Sequence, residues 1–308
     1  MSLGVVPDRP AEFPGNITIT AIHSGQAKSA SELVQAIRPR PNDLVDPWLP
    51  DREMEVLVDM GARGKGDTFN PRIALAGTDV LAYGALDFSP EMKRAQVLGP
   101  LVHPAHRRKG LGQAILTALL EQARTAGQKA VRAAVGTHNG AGRAFLEAAG
   151  FRAKEGHTCL RLPRPPRLPS VEMKGITLRP VEAEDGALYY DFTKRLVPRQ
   201  PKQARALLKS DEYVAILAWR GQEPVGCVEI DMRAGDVASL EVLEGPPPLL
   251  QKGLGNLLLA EAIRVAFSAD RTTCLDFLLA GAEAGRIEHM TKLGFQVRYE
   301  LLGLEMKL

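Results

Sequence analysis

A turn rich in glycine and basic residues, Arg107 to Gln113, carries the clearest chemical signal in the chain. It lies between an extended stretch, Ala95 to Val102, and an amphipathic helical stretch that runs to about Ala126. The first N–H groups of a helix have no acceptor within it, and the helix dipole adds partial positive charge there. Two glycines let a ligand approach the backbone closely, and three cationic side chains add charge. The turn is therefore suited to a phosphate or a pyrophosphate.

Spacing excludes two other kinds of phosphate loop. The nucleoside-triphosphatase pattern Gly-x-x-x-x-Gly-Lys-Ser/Thr does not occur at this turn, and the glycine spacing of a dinucleotide fingerprint is not met. Taken alone, the turn could also be an ordinary tight turn before a solvated helix. Downstream of the turn, Asn139 stands twelve residues before Phe151, and Gly150-Phe151 closes a second helical stretch.

The elements that must position this turn occur twice along the chain. Gly110 and Gly253 precede helical stretches 143 residues apart, and the closing Gly-Phe pairs at Gly150 and Gly294 are 144 residues apart. A proline-rich run from Pro163 to Ser170 separates the two halves and lacks backbone donors. We therefore expect two tandem domains, residues 1–162 and 171–308, joined by a Pro-rich linker at residues 163–170.

Each half reads as strand, one or two helices, three strands, helix, strand, helix, strand, strand. Hairpins are expected at Arg72 to Ala76 with Val80 to Phe88, and at Tyr213 to Trp219 with Pro224 to Asp231. This pattern predicts an α/β fold in which each half has a mixed, mostly antiparallel sheet flanked by helices. About 15 extra residues in the first half fall in the proline-containing stretch Arg38 to Pro50.

Composition limits the class of protein. Hydrophobic residues make up 45% and charged residues 24%, which is ordinary globular usage and excludes a disordered chain. A net charge of +3 with 5% aromatic residues argues against a nucleic-acid partner. The three cysteines are too few and too widely separated for a disulfide framework or a metal cluster, and a reducing compartment is expected. No export signal or apolar run of ~18 residues occurs, so we expect a cytoplasmic protein with no membrane partner.

These motifs together resemble the GNAT superfamily of acetyl-CoA-dependent N-acyltransferases. The resemblance rests on Leu101-Val102-His103-Pro104, Arg107-x-x-Gly110-x-Gly112, Asn139 and Gly150-Phe151, and the opening Ile176 to Pro180 extends it to the second half. It implies two tandem GNAT-like domains that transfer an acetyl group from acetyl-CoA, the co-substrate, to a primary amine of a small molecule or protein. It also implies a monomer in which the tandem repeat acts as a fused dimer.

The resemblance assigns a cofactor site to the first half. The pyrophosphate would bind the backbone of the turn, and the strand before it would splay from its neighbour and bind the pantetheine arm and the acetyl carbonyl. Asn139 would contact the cofactor arm, and its position also suits a helix N-cap, a role compatible with the first. The expected cofactor-binding residues are Leu101, Val102, His103, Arg107, Arg108, Lys109, Gly110, Leu111, Gly112, Gln113 and Asn139.

The second half departs from this motif. Its counterparts of the first arginine of the turn, of the strand end and of Asn139 are Leu250, Pro246-Pro247-Pro248, and Ala282 or Glu283. Prolines offer no backbone donors, and a carboxylate would repel phosphate groups. Lys252, Gly253 and Gly255 leave an anion site open as an alternative, but we expect one competent cofactor site, in the first half.

The catalytic acid and base are harder to assign. The family often has a Tyr acid five residues before the Phe of its Gly-Phe, but Leu146 and Met290 stand there, which leaves solvent or another residue to protonate the thiolate. The base candidates of the first half are His103, Asp87 and Glu91, and no metal is expected. If the second half were active, its candidates would be Glu229, Asp231 and Glu241.

Two other functions remain open at this point. The missing Tyr and the degenerate second half leave a non-catalytic acyl-CoA-binding or regulatory tandem GNAT protein as an alternative. A basic nucleic-acid-binding protein would rest only on the cationic turn and the arginines of the linker, against a nearly balanced net charge.

Overall fold

The structure, a computed structural model, describes residues 17–37, 69–89, 93–165, 167–194, 206–233, 235–281 and 284–308. The chain divides into two compact units. The first comprises residues 1–157 and 299–308, and the second comprises residues 158–298. The extra residues expected at Arg38 to Pro50 lie outside the described ranges.

The first half of the chain follows the predicted order of strands and helices as far as its last helix, and its hairpin is confirmed as β2 and β3. A short turn of 3-10 helix precedes α1, and another, Pro104–His106, precedes α2. The elements are β1 (Ile17–Ala21), α1 (Ala27–Ile37), β2 (Phe69–Ala76), β3 (Asp79–Ser89), β4 (Arg94–Val102), α2 (Leu111–Thr125), β5 (Ala130–Gly136), α3 (Gly140–Ala148) and β6 (Arg152–Pro163).

The second half repeats this order, and its hairpin is confirmed as β8 and β9. Helical turns at Pro247–Leu249 and Leu250–Leu254 run directly into α5. The elements are β7 (Thr177–Pro180), α4 (Gly186–Thr193), β8 (Tyr213–Arg220), β9 (Glu223–Asp231), β10 (Val237–Glu244), α5 (Gly255–Ala266), β11 (Cys274–Ala280), α6 (Ala284–Lys292) and β12 (Gln296–Lys307). Among the described residues, no helix is long and apolar enough to cross a bilayer.

The last strand of each half is divided between the two units. Residues 158–163 of β6 belong to the second unit, and residues 299–307 of β12 belong to the first. Within the first unit, β12 pairs antiparallel with β5 from Leu301 opposite Gly136 to Lys307 opposite Ala130. Two closing strands were expected after the last helix of each half, but each half has a single strand of twelve residues, β6 or β12. Part of β6 belongs to the second unit, and part of β12 belongs to the first.

Both units have a mixed, mostly antiparallel sheet with the same connections. The strand order is β1-β2-β3-β4-β5-β12 in the first unit and β7-β8-β9-β10-β11-β6 in the second. The strands from β1 to β4 and from β7 to β10 pair antiparallel in sequence. The pairs β4–β5 and β10–β11 are parallel, as a helical crossover between neighbouring strands requires.

β4 and β5 separate after a short paired segment. They pair only from Arg94 to Gln96 of β4, although β4 continues to Val102 and β5 to Gly136. The pairing with β3 also shifts between Leu98 and Leu101, which leaves a bulge at Gly99 and Pro100. The expected splay of this strand is thus present, and it opens the sheet at the end where the basic turn begins.

Helix α2 packs closely on the sheet of the first unit. Its apolar face, including Leu111, Ile115 and Leu119, is buried against β3, β4 and β5. At Gly84 of β3, a Cβ atom would lie 2.6 Å from Cγ2 of Ile115. Any residue larger than glycine at this position would therefore clash with α2. Helix α1 covers the opposite face, where Tyr83, Ala85 and Leu98 are buried. The sheet therefore fixes the amino terminus of α2 beside the open end of β4.

Candidate cofactor site

A cavity of about 380 Å³ lies in the first unit, at the carboxyl end of β4. Its walls come from the bulge and end of β4, the basic turn, the first turn of α2, the start of α3 and the last residue of α1, Ile37. Nine of the eleven residues expected to bind the cofactor line this cavity, and His103 and Lys109 do not. The structure thus brings most of the set together, and their role as cofactor ligands stays a prediction.

The amino terminus of α2 opens onto the cavity. Gly110 caps the helix with φ of 83°, a left-handed conformation that glycine adopts at little cost, and its carbonyl accepts the N–H of Ala114 at 3.0 Å. The N–H groups of the first helical residues have no acceptor within the helix. Leu111, Gly112 and Gln113 carry these groups and line the cavity. The positive end of the helix dipole therefore faces the same space.

Two arginines add positive charge to this end of the cavity. Nε of Arg107 donates to the carbonyl of Val102 at 3.1 Å, which ties the turn to the end of β4. Arg108 has φ of 62°, a conformation that non-glycine residues seldom adopt, and it also lines the cavity. Lys109 is exposed. Backbone donors, a helix dipole and guanidinium groups at one place form a site for a phosphate-type anion.

His106, Phe145 and Ile37 are among the cavity residues that the expected set did not include. His106 belongs to the basic turn, and its ring packs edge-on against His103 with centroids 5.6 Å apart. A signal for His106 was therefore present in the motif itself. Phe145 and Ile37 look like ordinary apolar positions of amphipathic helices, and only the fold brings them to the cavity.

Asn139 has the N-cap role that the sequence left open. Its Oδ1 accepts the N–H of Gly142 at 2.8 Å, and the side chain is buried at the edge of the cavity. Because Oδ1 is engaged by the helix, the Nδ2 amide is the group that remains to meet a ligand carbonyl.

The candidate bases occupy different surroundings. His103 caps the turn that precedes α2, since its Nδ1 accepts the N–H of Ala105 at 3.3 Å. The backbone N–H of His103 donates to the carbonyl of Leu81 at 2.9 Å. Asp87 lies near the end of β3 with its side chain in contact with solvent, yet burial raises the pKa of its carboxyl group above the ordinary value. Glu91 lies outside the described residues.

The positions of the usual family acid hold buried apolar side chains. Leu146 is 1% exposed and lines the cavity, and Met290 is 5% exposed in the core of the second unit. Neither side chain can donate a proton.

The corresponding turn of the second unit differs from the basic turn of the first. The N–H groups of Leu249 and Leu250 both bond to the carbonyl of Pro246, at 2.9 and 3.1 Å. The chain then bends at Gly253, whose φ of 109° is not helical, before α5 begins. The side chains of Leu250 and Leu254 pack at Gly245, where a Cβ atom would lie 3.4 and 3.1 Å from them. Leucine side chains and helical backbone occupy the place that the basic turn has in the first unit.

The carboxylates of the second unit that sequence reasoning considered have structural partners. Glu229 is fully buried, and the hydroxyls of Tyr189 and Tyr213 both donate to it. Asp231 is paired with the guanidinium of Arg233. Ala282 and Glu283, the counterparts of Asn139, lie outside the described residues.

Comparison with known proteins gives a consistent result for both halves. A model of the acetyltransferase (GNAT) family matches residues 37–151 and again residues 181–295. No curated protein matches the sequence significantly.

Several solved structures resemble this one over nearly its whole length. A GCN5-related N-acetyltransferase from Sphaerobacter thermophilus is 17% identical with a TM-score of 0.78, covering 96% of each chain. A tandem GNAT protein from the clavulanic acid biosynthesis pathway is 16% identical with a TM-score of 0.70, covering 95% of this chain and 98% of that one. A glucosamine N-acetyltransferase region of a fungal multi-domain β-N-acetylglucosaminidase is 12% identical with a TM-score of 0.74, covering 97% and 39%. At these identities the likeness is one of fold.

Proposed function

Because the chain belongs to the acetyltransferase (GNAT) family and matches it once in each half, we propose that it is an N-acetyltransferase. It transfers the acetyl group of acetyl-CoA to a primary amine of a small molecule or protein. The observation that carries this proposal is the open amino terminus of α2, which faces a cavity together with Arg107 and Arg108. In the family, acetyl-CoA is the usual acyl donor, and its pyrophosphate matches the anion that such a helix end attracts.

The proposed binding mode follows from the order of groups along the cavity. The pyrophosphate occupies the end formed by the basic turn and the first turn of α2, where positive charge is concentrated. The pantetheine arm runs along Leu101 and Val102 in the gap beside β4, and the Nδ2 amide of Asn139 donates to one of its carbonyls. The thioester then lies at the bulge of β4, near Gly99.

One acetyl-CoA per chain is the proposed stoichiometry. The second unit keeps the positive φ of Gly253, 109°, but lacks an arginine at the place of Arg107. Leu250 and Leu254 occupy that region instead, and apolar side chains offer nothing to a pyrophosphate. The second unit therefore acts as a structural partner of the first.

The chemistry required of the protein is modest. A neutral amine attacks the thioester carbonyl, the C–S bond breaks, and the amine proton must pass to a base. Asp87 is the proposed base: it lies outside the cavity lining but on β3, the strand paired with β4, opposite Gln96. Its raised pKa also suits proton transfer near neutral pH better than that of an ordinary carboxylate. The departing thiolate takes a proton from solvent, since Leu146 replaces the usual acid.

We expect Asp87→Asn to lower kcat by about 10²–10³-fold and to leave the Kd for acetyl-CoA unchanged. The base must be ionised to act, so wild-type kcat/KM falls as pH falls through the raised pKa of Asp87. That acidic limb disappears in the variant. Steady-state rates between pH 4 and 9 measure both effects.

The matched control is His103→Asn, whose amide oxygen can still accept the N–H of Ala105. This variant keeps wild-type kcat and the acidic limb if Asp87 is the base. A loss of activity confined to the His103 variant would assign proton transfer to the histidine instead.

We expect Asn139→Asp to separate the two roles of Asn139. The carboxylate still accepts the N–H of Gly142, so the thermal midpoint stays within about 2 °C of wild type. The Nδ2 donor is lost and a negative charge is added near the cofactor, so the Kd for acetyl-CoA rises about 10-fold or more. Calorimetry and thermal unfolding test this, and an unchanged Kd would leave Asn139 as a helix cap alone.

The proposed function is tested by calorimetry with acetyl-CoA followed by a turnover assay. The acceptor panel includes glucosamine, polyamines and lysine peptides, and thiol release reports transfer. One bound acetyl-CoA per chain with amine-dependent thiol release supports the enzyme. Binding without release from any amine supports the non-catalytic acyl-CoA-binding alternative, two bound ligands contradict the single site, and no binding contradicts both functions.

A further inference from the structure

Tyr83 has a buried hydroxyl group without a hydrogen-bond partner among the residues that the structure describes. The residue is 0% exposed, and no described group forms a hydrogen bond with its Oη. Buried hydroxyl groups are as a rule hydrogen-bonded, because an unpaired one loses its bonds to water and gains nothing in return. Such an exception next to a functional cavity suggests a partner that arrives with the ligand.

Tyr83 lies behind the wall of the candidate cofactor cavity. It lies on β3 directly opposite Leu101 of β4, and residues that face each other across antiparallel strands have neighbouring side chains. It belongs to the same buried cluster as Ile37, with Leu101 packed against that cluster. Ile37 and Leu101 both line the cavity, so the tyrosine stands immediately behind this part of the wall.

The charge distribution determines which part of the cofactor meets this wall. The arginines and the open end of α2 fix the pyrophosphate at one end of the cavity. The wall formed by Ile37 and the β4 bulge has no charged side chain. Acetyl-CoA bound with its pyrophosphate on α2 therefore presents its acyl thioester to the side of the cavity behind which Tyr83 lies.

We propose that the Tyr83 hydroxyl donates a hydrogen bond to the acyl carbonyl of an acyl-CoA bound in the cavity. This inference rests on the proposed function and adds a residue that recognises the acyl group. The carbonyl reaches the hydroxyl when the side chain of Leu101 or Ile37 changes rotamer, a movement that staggered side chains make without altering the backbone.

The Tyr83 hydroxyl acts only as a hydrogen-bond donor and does not transfer its proton. Burial raises the pKa of Tyr83, so the hydroxyl stays protonated at working pH. As the amine bonds to the carbonyl carbon, negative charge grows on the carbonyl oxygen, and a fixed donor stabilises it. The C–S bond then breaks and the thiolate leaves, while Tyr83 keeps its proton throughout.

Tyr83→Phe tests this role with little structural change, because only the unpaired hydroxyl is removed. The matched control is Tyr213→Phe in the second unit, which removes a hydroxyl that donates to buried Glu229. Calorimetry of the full chain with acetyl-CoA and with CoA gives the affinity for the cofactor with and without its acyl group. Thermal unfolding of the three proteins gives the structural effect of each hydroxyl.

We expect Tyr83→Phe to weaken acetyl-CoA binding about 5-fold while CoA binding stays at the wild-type value. Its thermal midpoint is equal to or above that of wild type, whereas Tyr213→Phe lowers the midpoint and leaves both affinities unchanged. If wild type and Tyr83→Phe bind acetyl-CoA with equal affinity and CoA with equal affinity, the role of Tyr83 is overturned and the proposed function is not. If wild type binds neither ligand, the proposed function is overturned together with it.

Discussion

Gly112→Glu is expected to abolish acetyl-CoA binding, raising Kd by more than about 100-fold, while Gly255→Glu leaves it unchanged. A Cβ atom on Gly112 would lie 3.5 Å from Cγ2 of Val102 and 3.7 Å from Cζ of Phe145, both in the cavity wall. The rest of a glutamate side chain then occupies the cavity and brings a carboxylate to the pyrophosphate end. The volume of the glutamate side chain and its negative charge both weaken acetyl-CoA binding.

Gly255 provides the matched control because it is the counterpart of Gly112 in the second unit, where Leu250 stands at the place of Arg107. A Cβ atom there would lie 3.7 Å from the carbonyl oxygen of Leu250, an ordinary contact, so the substitution is tolerated. Calorimetry with acetyl-CoA is read beside the circular dichroism spectrum of each variant. Equal loss or equal retention of binding in the two variants, with unchanged spectra, contradicts the single-site model.

Deleting residues 299–308 is expected to abolish acetyl-CoA binding although none of the deleted residues lines the cavity. These residues pair with β5 and bury Leu301 and Leu304 against the first unit, each 1% exposed. The carbonyl of Glu300 also accepts the N–H of Thr137 at 3.0 Å, two residues before Asn139. Without this strand, β5 loses a neighbour and the loop that holds Asn139 loses an anchor.

Two point variants separate a specific effect from general loss of the terminus. Leu304→Ala removes buried volume from the core of the first unit and lowers the free energy of unfolding by about 2–5 kcal/mol. Val297→Ala, on the same strand but 48% exposed, changes it by less than about 0.5 kcal/mol. Denaturant unfolding with and without acetyl-CoA measures both, and full binding by the truncated chain would show that the first unit does not need β12.

Much of the fold could be predicted because its signals are local. Periodicity and turn residues placed both hairpins, α2 and α5 within a few residues, and the duplicated Gly-Phe pairs indicated two domains. The gathering of the basic turn, the strand end and Asn139 at one cavity followed from a motif of fixed spacing. Such a motif works because a strand, a tight turn and a helix are covalently continuous.

The features that could not be predicted depend on contacts between distant residues. The exchange of the closing strands leaves no trace in the pattern of β12, which reads as an ordinary strand whichever sheet it joins. Tyr83 looks like a core aromatic residue, and only the fold reveals that its hydroxyl has no partner in the described part of the chain. The packing of Leu250 and Leu254 at Gly245 likewise depends on the fold, although the change from Arg to Leu was visible in the sequence.

The shared closing strands also set the order in which a newly made chain can mature. Domains usually fold from the amino terminus as they leave the ribosome, at about 5–20 residues per second. Here the first unit waits for residues 299–308, which are translated about 8–30 s after residue 157 at that pace. Meanwhile β5 presents a bare strand edge, the kind of surface that invites pairing with other nascent chains. The candidate cofactor site therefore becomes complete only when residues 299–308 have been made.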